Sequence, residues 1–508
     1  MRNIFKATII VTIFAVLTRA LGFFLRIYLS RVMGAEALGA YQITMSVFGV
    51  LLTIVSSGLP MIVSRNVAYF EAQKNKTSQN RTITAGLVIG IITSILICVI
   101  VIALYIPLCK IIGDESANLI LILLPAIVAS AIYAILRGGL WGRKYFFSIS
   151  FTEFFEQIAR IVALVMLFNL PITMSSAGKS ALSLTIATIA SCVLVVILYF
   201  AFNGKFSSPK TELKTVLKSS TPITFVKSIS SAIGSVIAMI LPLRLMMFGY
   251  THAEALAEFG IYMGMTMPII MIPSTFISSI CVALVPELSG YTNNIDNEKT
   301  DVSALKSNVT SAIKTTIAIS SLLLAAFVAI GVPIGQVLFN NFKAGIYLSA
   351  CAILMIPMGL SQIFSSILNS IGLEKKALLY YSAGAILLLF CIIFLPQFVG
   401  TYAIAIAMML MHTTMSLLSA ISLAKRKLID WSVLFTVVLC LLICVPSGLL
   451  CYFVFNILTK FLPMFVVTCI SGAAGVLMTA ILMFTFNVAS FKITAFKFGK
   501  KLLKKRKI

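Results

Sequence analysis

Residues 83–108 read ITAGLVIGIITSILICVIVIALYIPL, a run of 26 residues without a single Asp, Glu, Lys or Arg. About 20 apolar residues in a helix are enough to cross the roughly 30 Å hydrocarbon core of a bilayer, so this stretch predicts a membrane span. The whole chain is similar in character, with 60% hydrophobic and 11% charged residues and a mean hydropathy of +1.08. A soluble domain has about 25% charged residues. The sequence therefore predicts an all-α integral membrane protein.

Apolar runs bounded by charges and turn residues predict about 14 transmembrane helices. They lie near residues 7–31, 38–63, 83–108, 117–140, 147–170, 180–202, 220–247, 257–286, 309–340, 346–371, 377–396, 399–423, 432–456 and 463–487. The first run continues past Arg19 to Leu29 without a small-residue cleavage site, so we interpret it as an uncleaved span rather than a secretory signal.

The distribution of basic residues predicts the orientation of these spans. The chain has 39 Lys and Arg against 15 Asp and Glu, a net charge of +24, and the excess falls in alternate loops. With the N-terminus inside, the outer loops carry only Lys110, Lys179, Lys343 and Lys460. Because cytoplasmic loops hold the positive excess, both termini are predicted to be cytoplasmic. The net charge is therefore mainly topological, and no nucleic-acid partner is expected.

The C-terminal tail mixes apolar residues with a dense basic set: Lys492, Lys497, Lys500, Lys501, Lys504, Lys505, Arg506 and Lys507. Each base near an anionic membrane surface contributes on the order of 1 kcal/mol of binding free energy. We interpret the tail as an interfacial anchor that binds anionic lipids.

Metal and cofactor chemistry has little support in the sequence. Most of the ten cysteines stand singly in apolar runs, there is no CxxC pair, and the two histidines, His252 and His412, lie in different halves of the chain. We therefore expect no metal site, no cofactor and no catalytic residue.

Two ordered matches indicate an internal duplication. The segment Ala35–Tyr41 (AEALGAY) resembles Ala253–Tyr262 (AEALAEFGIY). The dipeptides Ile135-Leu136 and Arg143-Lys144 likewise match Ile367-Leu368 and Lys375-Lys376. Each half then contains six spans, an even number, which predicts two lobes related by a parallel pseudo-twofold repeat with two extra C-terminal helices. The predicted division is an N-lobe at 1–202, a cytoplasmic linker at 203–219, a C-lobe at 220–424, two added spans at 425–487 and the basic tail at 488–508. Two such lobes favour transport by alternating access.

Charges inside the spans are the strongest candidates for a functional site, because a charge at the bilayer centre is costly. Arg19 and Arg26 lie seven residues apart on one face of the first span, with Gly22 between them leaving a notch for a ligand or another helix. The repeat offset of 218 residues, from Ala35 to Ala253, relates Arg26 to Arg244 in the seventh span, so these two are predicted to face each other across the pseudo-twofold axis. The planar guanidinium of arginine can donate two parallel hydrogen bonds, a geometry that suits phosphate oxygens. The alternative for Arg26 and Arg244, and the favoured interpretation for Arg31, is snorkelling to the outer interface.

The fifth span carries Glu153, Glu156 and Arg160 on one helix face. Opposite charges on one helix can neutralise each other, so a structural ion pair and a coupling-ion site are both open, with the ion pair slightly favoured.

Several motifs together resemble one known family. They are Thr18-Arg19-Ala20-Leu21-Gly22-Phe23 with Arg26-Ile27, Arg31-Val32-Met33-Gly34-Ala35-Glu36, Gly58-Leu59-Pro60 with Ser64-Arg65, and Gly264, Pro268, Pro273 with Leu284-Val285-Pro286-Glu287. The resemblance is to the stage V sporulation protein B branch of the polysaccharide and lipid-linked-oligosaccharide flippases. That branch is similar to the MurJ-type lipid II flippases within the superfamily that includes the MATE exporters. It covers nearly the whole chain.

The resemblance implies a two-lobe fold of fourteen helices and a polyprenyl-diphosphate-linked saccharide, lipid II or a related envelope precursor, as cargo. It also implies a place in the bacterial plasma membrane. In the lipid II flippases a Ser-Arg-x-x-Gly-x-x-Arg-Asp type of motif supplies cavity cations. Arg19 matches its first arginine, Arg26 matches the second after a one-residue slip, and Ile27 replaces the acid.

Three function classes compete on the sequence. The leading one is a flippase that is not an enzyme and is driven by a coupling ion or the membrane potential. A MATE-like cation-coupled antiporter of drugs or small molecules is the alternative, although such a protein would favour an acid in the first span, where this chain has arginines. A membrane glycosyltransferase or polymerase would need a catalytic loop domain, and the longest loops are too short.

Overall fold

The computed structural model describes residues 2–292, 302–430 and 432–488, and every regular element within these ranges is a helix. Helices satisfy all their backbone hydrogen bonds internally, which an apolar chain in lipid requires. The predicted all-α membrane fold is confirmed. The basic tail from Phe491 onward lies outside the described residues, so its role as an anchor stays a prediction.

The first of two compact units comprises Met1–Gly260. Its helices are α1 (Arg2–Ser56), α2 (Leu59–Ala72), α3 (Lys76–Ala103), α4 (Tyr105–Ile112), α5 (Asp114–Gly142), α6 (Phe146–Asn169), α7 (Ser176–Ala201), α8 (Lys210–Met247) and α9 (His252–Phe259).

The second compact unit comprises Ile261–Ile508. A π-helical segment (Gly260–Thr266) leads into α10 (Met267–Ile270), α11 (Ile272–Thr292), α12 (Val302–Leu322), α13 (Leu324–Phe339) and α14 (Phe342–Cys351). A 3₁₀ turn (Ala352–Leu354) then precedes α15 (Met355–Ser370), α16 (Glu374–Phe394), α17 (Pro396–Val399), α18 (Tyr402–Lys425), α19 (Ser432–Leu458) and α20 (Met464–Thr485).

Helix α1 joins two predicted spans through a break at Gly34. Its backbone there has φ 77° and ψ 172°, a left-handed φ that an L side chain rarely adopts. The chain therefore changes direction at Gly34 with hardly any loop, and Arg19 and Arg26 lie in the first part of the helix.

Within the described residues, 11 helices are long and apolar enough to cross a membrane, or up to 12 if a bent pair counts as one span. Fourteen spans therefore stay a prediction. The predicted count of 14 and the count of 11 differ at three places. Val11–Ala72 counts as one helix although two spans were predicted there. The pair His252–Ile270 and Ile272–Val282 is bent by 48° and is not among the 11 helices. The third is α6, whose three charges at residues 153, 156 and 160 set it apart from an ordinary apolar span.

The compact units do not follow the predicted lobe boundaries. Helices α8 and α9 group with the preceding helices as far as Gly260, and α8 already begins at Lys210, inside the predicted linker 203–219. The compact units reflect packing, whereas the predicted lobes reflect the repeat, so the lobe division remains a prediction.

Small residues allow the helices of the first unit to approach closely, as is common in membranes. A Cβ on Gly138 of α5 would lie 2.6 Å from the backbone oxygen of Pro60, and one on Gly39 of α1 would lie 1.9 Å from that of Leu256 in α9. The second contact brings the two segments of the predicted repeat against each other. Helices α5 and α6 both pack against α1, which assembles the candidate site.

Candidate functional site

Arg19 and Arg26 project from the first part of α1, and both side chains are exposed. Neither forms a hydrogen bond or an ion pair with another residue in the part of the chain that the structure describes. The charge that acts on Arg26 most strongly is that of Arg160 in α6, which is also positive. Two cations therefore stand within a predicted span without an anionic partner among the described residues.

Gly22 lies beside α6. A Cβ built on it would lie 3.8 Å from Oε1 of Gln157, an ordinary van der Waals separation. Binding of cargo at Gly22 stays a prediction. Oε1 of Gln157 and the hydroxyl of Thr18 are both buried, and neither has a hydrogen-bond partner among the described residues.

Glu153 forms an ion pair with Arg137 of α5. The two side chains are 33% and 38% exposed, so solvent screening keeps the pair weak. The structure thus pairs Glu153 with a neighbouring helix and not with Arg160 of its own helix.

Arg160 and Glu156 complete the group. Nη2 of Arg160 donates a hydrogen bond of 2.6 Å to the hydroxyl of Tyr41 in α1, and Tyr41 is 3% exposed. The carboxylate of Glu156 interacts electrostatically with Arg160, Arg137 and Glu153, yet forms no hydrogen bond or ion pair with a described residue. Nε of Arg160 is buried and likewise has no partner among the described residues.

Arg244 lies apart from these contacts, in the last turn of α8. Its Nη1 donates to Sδ of Met247 at 3.2 Å, and its guanidinium lies 5.2 Å from the centre of the Phe248 ring. Its Nε is buried without a partner in the described ranges. Helix α8 packs against α1, but no contact between Arg26 and Arg244 is among these interactions, so their pairing stays a prediction.

We call Arg26, Arg137, Glu153, Glu156 and Arg160 the charge cluster. It contains three arginines and two glutamates from α1, α5 and α6, so it carries a positive excess. Arginine donors in a low-dielectric setting bind phosphate or carboxylate oxygens strongly. The arrangement can bind an anion, or exchange ion-pair partners around Glu156.

Sequence reasoning missed Arg137 and Tyr41. Arg137 lies inside the predicted fourth span, where any charge is a candidate, and it stands about as far before the α5–α6 loop as Glu153 stands after it. That near-equal spacing in an antiparallel helix pair is the signal from which the ion pair could have been predicted. Nothing in the sequence marks Tyr41, since its contact depends on how α1 packs on α6.

Metal binding has no counterpart in this geometry. Over the described ranges, no group of three or more His, Cys, Asp and Glu side chains is arranged to hold a metal ion.

A bundle of helices long and apolar enough to cross a membrane defines a multi-pass membrane protein. Residues 4–292 match the family model described as "Polysaccharide biosynthesis protein", and the chain belongs to that family.

Curated relatives agree with this family. Stage V sporulation protein B of Bacillus subtilis (strain 168) is 21% identical over 437 residues, covering 83% of each chain. The uncharacterized membrane protein YabM of the same strain is 23% identical over 399 residues, covering 75% of this chain and 72% of the relative.

Solved structures establish the fold. The lipid II flippase MurJ in an inward closed conformation has a TM-score of 0.66 at 15% identity, covering 94% of this chain and 98% of that one. An inward-facing multidrug resistance MATE family transporter of the MOP superfamily has a TM-score of 0.62 at 16% identity, covering 80% and 94%. The expected fold resemblance is therefore confirmed, whereas the cargo is not addressed by similarity at this level.

Proposed function

We propose that this protein is a flippase that moves a polyprenyl-diphosphate-linked saccharide across the bacterial plasma membrane by alternating access. The observation that carries the proposal is the pair Arg19 and Arg26, which stand in the first span without an anionic partner among the described residues. A cation in a span needs water, an acid or an anionic ligand to be stabilised. A diphosphate supplies the ligand.

In this proposal Arg19, Arg26 and Arg244 bind the diphosphate. Arg19 and Arg26 lie almost two helical turns apart, about 10 Å along α1. Gly22 allows α6 to approach between them, which brings Arg160 close enough to act on Arg26. Mutual repulsion between these guanidiniums is relieved when an anion binds.

The residues Glu153, Glu156 and Arg160 have a supporting role. Glu153 is already paired with Arg137, so it stabilises the α5–α6 contact. Glu156 is in no ion pair within the described chain, and Arg160 is bonded only to the hydroxyl of Tyr41, so both can change partners when the arginines bind an anion.

The membrane setting follows from the loop charges. We propose cytoplasmic termini and a tail that binds anionic lipids, from the positive excess in alternate loops. Reporters placed after Ile508 and at Lys205 would both read as cytoplasmic, and an external signal from either would reject this topology.

A MATE-like cation-coupled antiporter is the second candidate, favoured by the fold it shares with the MATE transporter. The charge of α1 distinguishes the two, because Arg19 and Arg26 would repel a cationic drug. If Arg19→Ala increased the binding of a cationic dye, that result would support the antiporter.

Reconstituted vesicles test the flippase. We expect wild-type protein to translocate a fluorescently labelled undecaprenyl-diphosphate-linked disaccharide, and Arg19→Ala to slow it by about tenfold or more, since a hydrogen bond to a charged group is worth about 1.5–3 kcal/mol. Arg19→Lys should retain part of the rate because lysine keeps the charge but not the fork. Arg426→Ala, an exposed loop arginine, is the matched control.

Two results would contradict the assignment. One is translocation by Arg19→Ala at the wild-type rate. The other is loss of folded protein in Arg19→Ala that Glu153→Gln or Glu156→Gln restores, since Arg19 would then be a structural ion-pair partner.

A further inference from the structure

The second unit contains a histidine deep within one of its described spans that the proposed function does not use. His412 is the eleventh residue of α18, about 15 Å from the start and 20 Å from the end of that helix at 1.5 Å per residue. Helix α18 is long and apolar enough to cross a membrane, which places His412 near the middle of the bilayer. An ionisable residue at that depth is a candidate for function.

Ser361 contacts one ring nitrogen of His412 and thereby links the position of the ring proton to helix α15. Nδ1 lies 2.8 Å from Oγ of Ser361 in α15, and the same Oγ lies 2.9 Å from the carbonyl oxygen of Met358. When the Ser361 hydroxyl donates to the Met358 carbonyl, it accepts from Nδ1–H of His412. In this pairing the proton is on Nδ1 and Nε2 is the unprotonated base, and we adopt this tautomer in the inference below.

Nε2 has no hydrogen-bond partner among the described residues. The elements packed on α18 bring few ionisable groups: α15, α17 and the 3₁₀ turn have none. The remainder are Glu374, Lys375, Lys376, Tyr380, Tyr381 and Cys391 of α16, Tyr262, whose hydroxyl approaches Met408 of α18, Tyr347, whose ring contacts Tyr402, and Tyr402 and Lys425 of α18 itself.

The charged residues of α16 are distant from His412. Gly384 lies against Met411, because a Cβ built on it would be 2.9 Å from the Met411 carbonyl oxygen. Residues 374–376 precede Gly384 by eight residues or more, about 12 Å of helix. No described acid is therefore positioned to neutralise a protonated imidazole, so its proton is stable only when water reaches it.

Helix α15 connects this histidine to the bent helix pair. Gln362 is next to Ser361 in α15. Its Nε2 donates one hydrogen bond of 2.8 Å to Oγ of Ser278 and another of 3.3 Å to the carbonyl oxygen of Ser274, both in α11. Helix α11 follows directly after the 48° bend. A change in charge at His412 thus acts on a helix that is hydrogen-bonded to the bent segment.

We infer that Nε2 of His412, held in position by Ser361, binds the proton that drives transport. The imidazole lies where α15 and α16 pack on α18, and it is neutral while no water reaches it. It is protonated when water enters, so it exchanges its proton as access alternates. This inference names the coupling ion of the flippase proposed above and rests on that function.

Histidine NMR tests the proton site without any transport assay, because the chain has only two histidines. The protein is labelled with ¹⁵N-histidine and placed in nanodiscs. In the His252→Gln variant the only histidine signals are then those of His412. We expect Nδ1–H and a bare Nε2 at about pH 8, and protonation of Nε2 on acidification to about pH 4 with the helical fold retained. A His412 ring that stays neutral over this range, or carries its proton on Nε2 at high pH, would overturn the inference.

Transport under a pH gradient tests the coupling. For one proton per cycle the steady-state gradient of the labelled undecaprenyl-diphosphate disaccharide rises by up to about tenfold per pH unit. We expect the lipid gradient of His412→Gln to be nearly the same at every pH difference, a change of about onefold per pH unit. His252→Gln should keep the wild-type response. A wild-type response in His412→Gln would reject the assignment.

If His412→Gln does not fold, Ser361→Ala replaces it. That variant keeps the imidazole and removes the acceptor for Nδ1–H, so the tautomer ratio should shift toward Nε2–H and the pH response should fall severalfold. An unchanged tautomer and response would contradict the role of Ser361. If wild-type vesicles translocate no labelled lipid, the flippase proposal fails, while the NMR titration still decides the proton site.

Discussion

Two antiparallel helix pairs, α5–α6 in the first unit and α13–α14 in the second, are held together by different means. Between α5 and α6 lies the ion pair of Arg137 and Glu153. Between α13 and α14 the backbones nearly touch, because a Cβ on Gly335 would lie 2.3 Å from the backbone nitrogen of Gly345. Lipid provides little hydrophobic force between helices, so close packing of small residues is the ordinary solution.

The difference separates structural from functional contacts. Glycine packing needs no polar atom, whereas a charge in a span is costly and must be stabilised by a partner. The first unit nevertheless keeps Arg19 and Arg26 without such a partner among its described residues. Stability alone therefore does not explain the arginines, and this is the physical ground for assigning them to cargo.

The largest expected effect is on the glycine pair. Gly335→Ala forces a methyl group into the backbone of α14, so we expect about 3 kcal/mol or more of destabilisation and a clear drop in melting temperature in detergent. Gly448→Ala in α19 is the matched control, since its Cβ would be 3.5 Å from the nearest atom, the carbonyl oxygen of Ala325. Equal melting of the two variants would show that α13 and α14 are not packed through glycine.

The next effect concerns the buried hydrogen bond between α1 and α6. Tyr41→Phe removes the acceptor of Arg160, and a hydrogen bond to a charged group is worth about 1.5–3 kcal/mol, so thermal stability should fall measurably. Tyr133→Phe is the control, because the Tyr133 hydroxyl reaches Thr152 only at 3.4 Å. A larger loss in Tyr133→Phe would contradict the placement of Arg160.

A smaller effect is expected from the ion pair of α5 and α6. Both partners are about one-third exposed, so a double-mutant cycle of Arg137→Ala and Glu153→Ala should give a coupling free energy of about 1 kcal/mol or less. The cycle is measured by melting of the two single variants and the double variant. Strict additivity would indicate that the pair contributes nothing to stability. A coupling free energy of several kcal/mol would indicate that the pair is shielded from water.

The smallest effect should come from Gly22→Ala. Its methyl would lie at van der Waals distance from Gln157, and alanine favours a helix over glycine by about 1 kcal/mol. We expect unchanged or slightly higher stability and a wild-type translocation rate. Strong inhibition with normal folding would show that cargo, rather than α6, needs the space at Gly22.

The sequence alone predicted the helical membrane fold because apolar runs and the requirement for internal hydrogen bonds leave few alternatives. It also selected Arg19, Arg26, Glu153, Glu156 and Arg160, since a charge in a span is conspicuous. Those inferences depend on the local composition of single helices.

Tertiary structure decided the partners. That Glu153 binds Arg137, that Arg160 binds Tyr41, and that Gly22 meets Gln157 all depend on how helices are rotated and shifted against each other. The contact of His412 Nδ1 with Ser361, 51 residues earlier in the chain, likewise depends on this packing. Hydropathy determines that a helix lies in the membrane but leaves its rotation about its axis open, and that rotation is fixed only by packing against neighbouring helices.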